Sequence, residues 1–422
     1  MTVRNVAPAR RWVAASAADA VATLRVRPGE NLQAALDAAP AAAVVEVERG
    51  LYVGNFVIRR PLTLRGIDRP KLSADLNGDT LRIKAPDVTV EGMLIVDSGG
   101  SLREQNAGIY IEPGAHRAAV RDCALSYNLF GVWIENANEV QVERNVITGK
   151  RDYASPQRGN GIQLYNSQRA RVVDNHISFV RDGLYVDISH HAEFRRNKLH
   201  HSRYGTHYMN SNHNLWEDND AYYNRGGLAL MEVRHQVVRN NRTWGNSDHG
   251  IMLRTMLDSV IEDNVVAGNA RGFFLFNVKR TTLRGNLVVD NHVGVHMSAL
   301  STHNVVQGND FIANRLQVRF VGMRDERWGG APGEGNFFSN YLGWDRNGDG
   351  VGDLPYEAND LVDRLLWRHP AASMLLASPA VHTLRVVAQQ FPVLRAPSVV
   401  DPHPRMRPLH TDWSDWLGRH FR

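Results

Sequence analysis

Cysteine is almost absent. The 422 residues hold one, Cys123, which excludes an internal disulfide, a thiolate zinc site and a CxxC redox pair. Long apolar runs are missing too: stretches such as Ala38–Val45 fall far short of the roughly 18 residues of a membrane-spanning helix. No basic run stands out. The formal charge of 49 − 44 = +5 is spread along the chain, which argues weakly for acidic partners and poorly for nucleic acid. There is no GxxxxGK[ST] phosphate loop. With 43% hydrophobic and 22% charged residues, neither disorder nor a disulfide-stapled miniature fits. Near the start, Arg10–Arg11 is followed only by the Ala-rich Trp12–Ala18, weaker than the about 7–15 apolar residues of a secretory signal. Residues 1–22 therefore read as a remnant of an export signal or as disordered chain.

What is plentiful is repetition. Glycine followed by alternating apolar residues recurs at Gly108, Gly131, Gly161, Gly183, Gly205, Gly227, Gly250, Gly272 and Gly294. Seven of the eight spacings are 22 or 23 residues; the eighth is 30 and carries the insert Arg151–Asn160. Asn145, Asn175, Asn197, Asn219, Asn241, Asn264 and Asn286 each lie 14 residues after their glycine, and Asn309 lies 15 after. A unit this short, with about three brief strands, cannot bury a core alone. The pattern predicts an all-β chain, a right-handed parallel β-helix over residues 23–321, with the asparagines stacked as ladders. An N-terminal helix in PGENLQAALDAAP, apolar at Leu32, Ala35, Leu36 and Ala39, is expected to cap its open edge.

Strand alternation then assigns directions. The residues two and four after each glycine should face outward. They include Tyr185/Asp187, His207/Met209, Ala229/Met231, Met252/Arg254, Phe274/Phe276 and His296/Ser298. Neighbouring coils lie about 4.8 Å apart, so Met209 and Met231 should be adjacent, with His207 and Met252 within two coils. Thioether and imidazole together suit soft metals, and thioether favours Cu(I). Met209, Met231, Met252 and His207 are therefore candidate copper ligands. The same apolar outward groups equally suit a protein interface, with Phe274, Phe276 and His296 as contacts. A third reading is a polysaccharide enzyme, a uronan lyase or C5-epimerase, using Tyr185, Asp187 and His207 with Arg254. The Asp401-Pro402-His403 tripeptide resembles an epimerase motif but falls after the coils, where it reads as an extended segment laid on a surface.

Residues 322–422 form the C-terminal extension. Asp345, Asn347, Asp349, Val351 and Asp353 have the alternate spacing of a Ca²⁺ loop around glycines. Helices are expected at about 360–391. The second is capped by Ser378-Pro379 and carries Val381, Leu384 and Phe391 on one apolar stripe, a candidate partner contact. GNFFSNYLGWDRNGDGVGDLPY, the helical stretch that follows and VVDPHPRMRPL resemble the C-terminal signature of the NosD family, and VRDGLYVDISHH and RYGTHYMNSNHN resemble its coils. The likeness spans essentially the whole chain and places it in the wider pectin-lyase-like β-helix group. It implies a periplasmic, non-enzymatic accessory factor for nitrous oxide reductase. Such a factor works with the ATPase and membrane subunits of an ABC transporter and with a copper chaperone lipoprotein, touches the membrane only through partners, and handles copper transiently.

Overall fold

The computed structural model describes residues 21–298, 300–320, 326–358, 378–390 and 399–418. Its strands stack into three parallel sheets of 14, 12 and 13 members, each strand pairing with the one a coil away. A typical coil runs through Gln141–Glu143, Val146–Gly149 and Ile162–Tyr165 before the next begins at Arg171–Val173. The expected parallel β-helix is what forms. It runs on past Val321, through the short strands Arg327–Trp328 and Phe337–Phe338.

The repeated glycines open the 12-stranded sheet, and backbone crowding explains them. A Cβ on Gly131 would lie 2.4 Å from the Gly161 carbonyl oxygen, and one on Gly183 2.5 Å from that of Gly205. Side chains next in line point inward and vanish from solvent: Val132, Ile134, Leu164, Leu184, Val186 and Leu230 are all at 0% exposure. Larger rings fill the middle of the bore, where Phe194 stacks on Trp216 with centroids 4.0 Å apart.

Each Asn145-type residue turns the chain into the 13-stranded sheet and passes a side-chain hydrogen bond to the next coil. Asn145 Nδ2 donates to Asn175 Oδ1 at 3.0 Å, and the sequence continues through Asn197, Asn219, Asn241, Asn264, Asn286, Asn309 and Asn336. The last donor, Asn336 Nδ2, gives to Asp401 Oδ2 at 2.8 Å, as does Asn336 N. Asp401 is fully buried. Its role is thus to terminate the ladder, from a strand, Val399–Asp401, that pairs antiparallel with Tyr356–Ala358. A second ladder runs parallel to the first, Asn246 to Asn269, Asn291 and Asn314, ending on Gln317.

At the other end the helix Leu32–Ala38 starts from Asn31, whose side chain accepts from Ala34 N at 3.0 Å. Leu32 and Leu36 enter the core. Gln33 stands in for a neighbouring strand: its amide accepts from Val57 N at 2.8 Å and donates to Val57 O at 3.0 Å. That satisfies edge groups that would otherwise invite pairing. The C-terminal segment returns along the 13-stranded sheet. Asp310, fully buried, accepts from Arg405 at 2.6 Å and pairs with His410 Nδ1 at 2.7 Å. Trp416 packs with Ala267, Leu287, Val289 and Ile312.

Candidate functional site

Cross-strand register sets the geometry. In the 12-stranded sheet Tyr185 pairs with His207, His207 with Ala229, Ala229 with Met252, Met252 with Phe274 and Phe274 with His296. A second outward row reads Asp187, Met209, Met231, Arg254, Phe276. Met209 and Met231 are direct partners, and His207 and Met252 sit two coils apart, as alternation requires. Met209, Met252, Phe274, Phe276 and His296 are half-buried, but Met231 is only 8% exposed. It points away from the bore and is covered there by its neighbours.

A third row, the residue just before each glycine, also faces outward, because the glycine breaks the alternation. Here Asp182 pairs with Tyr204, Tyr204 with Gly226, and His249 with Arg271. This row leans on the His207 row: Phe130 meets Trp133 at 4.8 Å, Tyr204 meets His207 at 5.6 Å, and the Arg271 guanidinium lies 4.6 Å over Phe274. His249 lies within the strand His249–Leu257, whereas His190, His191, His213 and His235 lie outside the strands of this sheet.

His207 is held by charge. Its Nδ1 lies 3.2 Å from Asp182 Oδ2, and Arg203 grips the same buried carboxylate at 2.9 and 2.5 Å. Burial alone would raise the Asp182 pKa, but the contacts from His207 and Arg203 outweigh it and hold the carboxyl below its usual range. Arg203 Nη2 also lies 3.1 Å from the same Nδ1; in the tautomer that gives Nδ1–H to Asp182, the Nε2 lone pair is left as a ligand, the arrangement found behind many metal-bound imidazoles. The Tyr185 ring meets His207 edge-on at 4.9 Å, and burial, then Asp187, pushes its hydroxyl pKa up. His296 is held at about 4, first by burial and then by Arg319 and Arg271, so it is neutral at physiological pH.

Among the described residues no group of three or more His, Cys, Asp or Glu converges to hold a metal ion. Cys123 is buried and burial pushes its thiol up to about 12, which removes it as a thiolate donor. Other histidines partner each other on different faces: His176 Nε2 and His200 Nε2 lie 2.6 Å apart, and His191, His213 and His235 stack at 5.0 and 4.6 Å.

In the extension, Asp345 accepts from Gly348 N at 2.7 Å and Gly350 N at 2.8 Å, Asp349 from Val351 N at 2.8 Å, and Asp353 from Arg346 N at 2.8 Å. Asn347 Nδ2 donates to Asp349 Oδ2 at 2.8 Å. These carboxylates are thus taken up by the loop's own N–H groups, and among the described residues no three of them converge as a metal site. The helix Pro379–Gln390 begins at Ser378 as expected, with Val381 N 3.1 Å from Ser378 O. Val381 and Leu384 are half-buried on it. Phe391 and the helix expected from residue 360 lie outside the described residues. No helix among the described residues is long and apolar enough to cross a membrane.

The family described as Periplasmic copper-binding protein (NosD) matches residues 143–343. A protein of Pseudomonas aeruginosa named Probable ABC transporter binding protein NosD is 40% identical over 372 residues, 85% of this chain and 87% of its own length. Its namesake from Stutzerimonas stutzeri is 37% identical over 373 residues, 85% of each. Among solved structures, the A-module of a mannuronan C-5 epimerase from Azotobacter vinelandii has a TM-score of 0.58 at 15% identity, covering 71% of this chain and 94% of that one. At that identity the likeness shows a shared fold alone.

Proposed function

The chain belongs to the NosD family, and from that premise we propose that it is a periplasmic binding component, not an enzyme, which handles copper for the maturation of nitrous oxide reductase alongside an ABC transporter. The observation that carries this is the register of Met209 with Met231 on an outward sheet face, with His207 and Met252 two coils apart. Thioethers favour Cu(I) and bind it without a thiolate. Ligands spread over several coils suit a cargo that must leave again, in contrast to a closed four-ligand structural site.

Phe274, Phe276 and His296 extend the same face and are proposed to receive a copper chaperone or the reductase. The helix Pro379–Gln390, through Val381 and Leu384, is the proposed contact to the ABC transporter.

The test is competition for Cu(I) against a chromophoric chelator. Met→Leu conserves volume and costs under about 1.5 kcal/mol per site, so the triple variant Met209→Leu/Met231→Leu/Met252→Leu should fold. Its affinity is expected to fall by about 100-fold, near 2.7 kcal/mol. Unchanged affinity in a folded triple variant would remove these residues as ligands. We also propose that Asp345, Asn347, Asp349, Val351 and Asp353 hold a structural Ca²⁺. Calcium at about 100 times its dissociation constant should add about 2.7 kcal/mol to the folded state, seen as a higher Tm that a chelator reverses and that Asp345→Asn abolishes. An identical Tm with and without calcium would count against the site.

A further inference from the structure

His249 is the residue of this face that the copper reading has not used. It is 2% exposed, and neither ring nitrogen has a hydrogen-bond partner. Burying an imidazole without partners is unfavourable, and such groups in folded proteins call for an explanation. Asp248 Oδ2 lies 3.7 Å from Nδ1, close enough for electrostatic attraction and too long for a hydrogen bond. Arg271 holds Asp248 in place, its Nε 3.0 Å from Oδ1.

The ring occupies space that the sequence keeps open. In the coil between Tyr204 and His249, the two outward positions that carry rings elsewhere are Gly226 and Ala229. A Cβ on Gly226 would lie 2.5 Å from His249 Nε2 and 2.7 Å from Tyr204 Cδ1. His249 and Tyr204 lean into this dip from either side, with centroids 5.6 Å apart. His249 and Met252 hold the positions at which Phe130 and Trp133, Tyr204 and His207, and Arg271 and Phe274 touch. Met231 lies in the coil of Gly226 but two outward rows away, five residues along the same strand.

Resting on the copper reading above, we infer that His249 is a ligand of the Cu(I) cargo, its Nε2 pairing with the Met252 thioether over Gly226 and Ala229. A small ring rotation lets Nδ1–H donate to Asp248 and leaves Nε2 as the donor atom. The dip then has a carboxylate-backed imidazole and a thioether along one flank. Tyr204 shares the dip with His249 and must yield when metal enters, which makes it the group that screens the empty site from water.

The experiment titrates the full chain with Cu(I) against bicinchoninate and records copper X-ray absorption. His249→Gln is expected to bind at least tenfold more weakly, with an unchanged Tm. In His207→Gln, imidazole scattering should persist beside sulfur, because His249 remains, and this readout does not require the His249 variant to fold. Wild-type affinity in folded His249→Gln, or a spectrum of His207→Gln with sulfur scattering alone, overturns the assignment while leaving the methionines standing. Failure of the unmodified chain to bind Cu(I) overturns the copper reading and this inference together.

Discussion

Asn219→Ala is expected to lose about 4 kcal/mol of stability. Asn219 is fully buried. Its Oδ1 accepts from Asn197 N at 3.1 Å and Asn197 Nδ2 at 3.0 Å, while its Nδ2 donates to Phe194 O at 2.8 Å and Asn241 Oδ1 at 2.9 Å. Alanine removes all of these at once. Each buried donor or acceptor left unpaired costs about 1–3 kcal/mol, and two or three are stranded between coils too tightly stacked to admit water easily. An exposed substitution one turn away, Lys198→Ala, should stay within about 0.5 kcal/mol. Chemical denaturation compares the two, and hydrogen exchange at Asn197 N and its neighbours locates the damage. A loss under 1 kcal/mol for Asn219→Ala would mean that a water replaces the amide and that the ladder is not what holds the coils.

Asp401→Ala should cost about 3 kcal/mol, concentrated at the C-terminal end. Asn336 donates twice to Asp401 Oδ2 at 2.8 Å, and His403 N gives to Oδ1 at 3.1 Å. Hydrogen bonds to a charged partner are worth about 1.5–3 kcal/mol each, and the strand Val399–Asp401 would lose its side-chain anchor to Asn336. Asp401→Asn keeps an acceptor and should recover more than half of the loss. Limited proteolysis of the C-terminal segment separates the outcomes: rapid cleavage in Asp401→Ala with protection in Asp401→Asn is the expected pattern. Equal protection in both variants would show that the packing of Trp416 and the Asp310–Arg405 pair hold the segment unaided.

Much of this architecture is legible from spacing. Glycine and asparagine recur because each is the residue that one repeated contact tolerates, so Gly131, Gly161 and Asn219 announce both the period and the stacking. Alternation then placed Met209 beside Met231 and His207 two coils from Met252. The second ladder was equally available, since Asn246, Asn269 and Asn291 each lie 19 residues after a repeated glycine and Asn314 lies 20 after. His249, by contrast, was hidden. Strict alternation counted backward through Gly250 turns it inward, whereas the close approach at the glycine locally reverses the direction. Met231 shows the opposite limit: its orientation is a matter of register, but its 8% exposure depends on which neighbours lean over it. The part played by Asp401 depends on a return of the chain across 65 residues from Asn336, which no local pattern records.

The amide ladder is one-way: every side chain gives a proton to the coil that follows, so its positive end lies at the C-terminal face. A carboxylate there takes the last two donors and has none of its own to offer. Stacked β-structures can polymerise by adding further molecules at an open face. At this face the last donors are already taken by a buried carboxylate, so the ladder has none left to offer a second molecule.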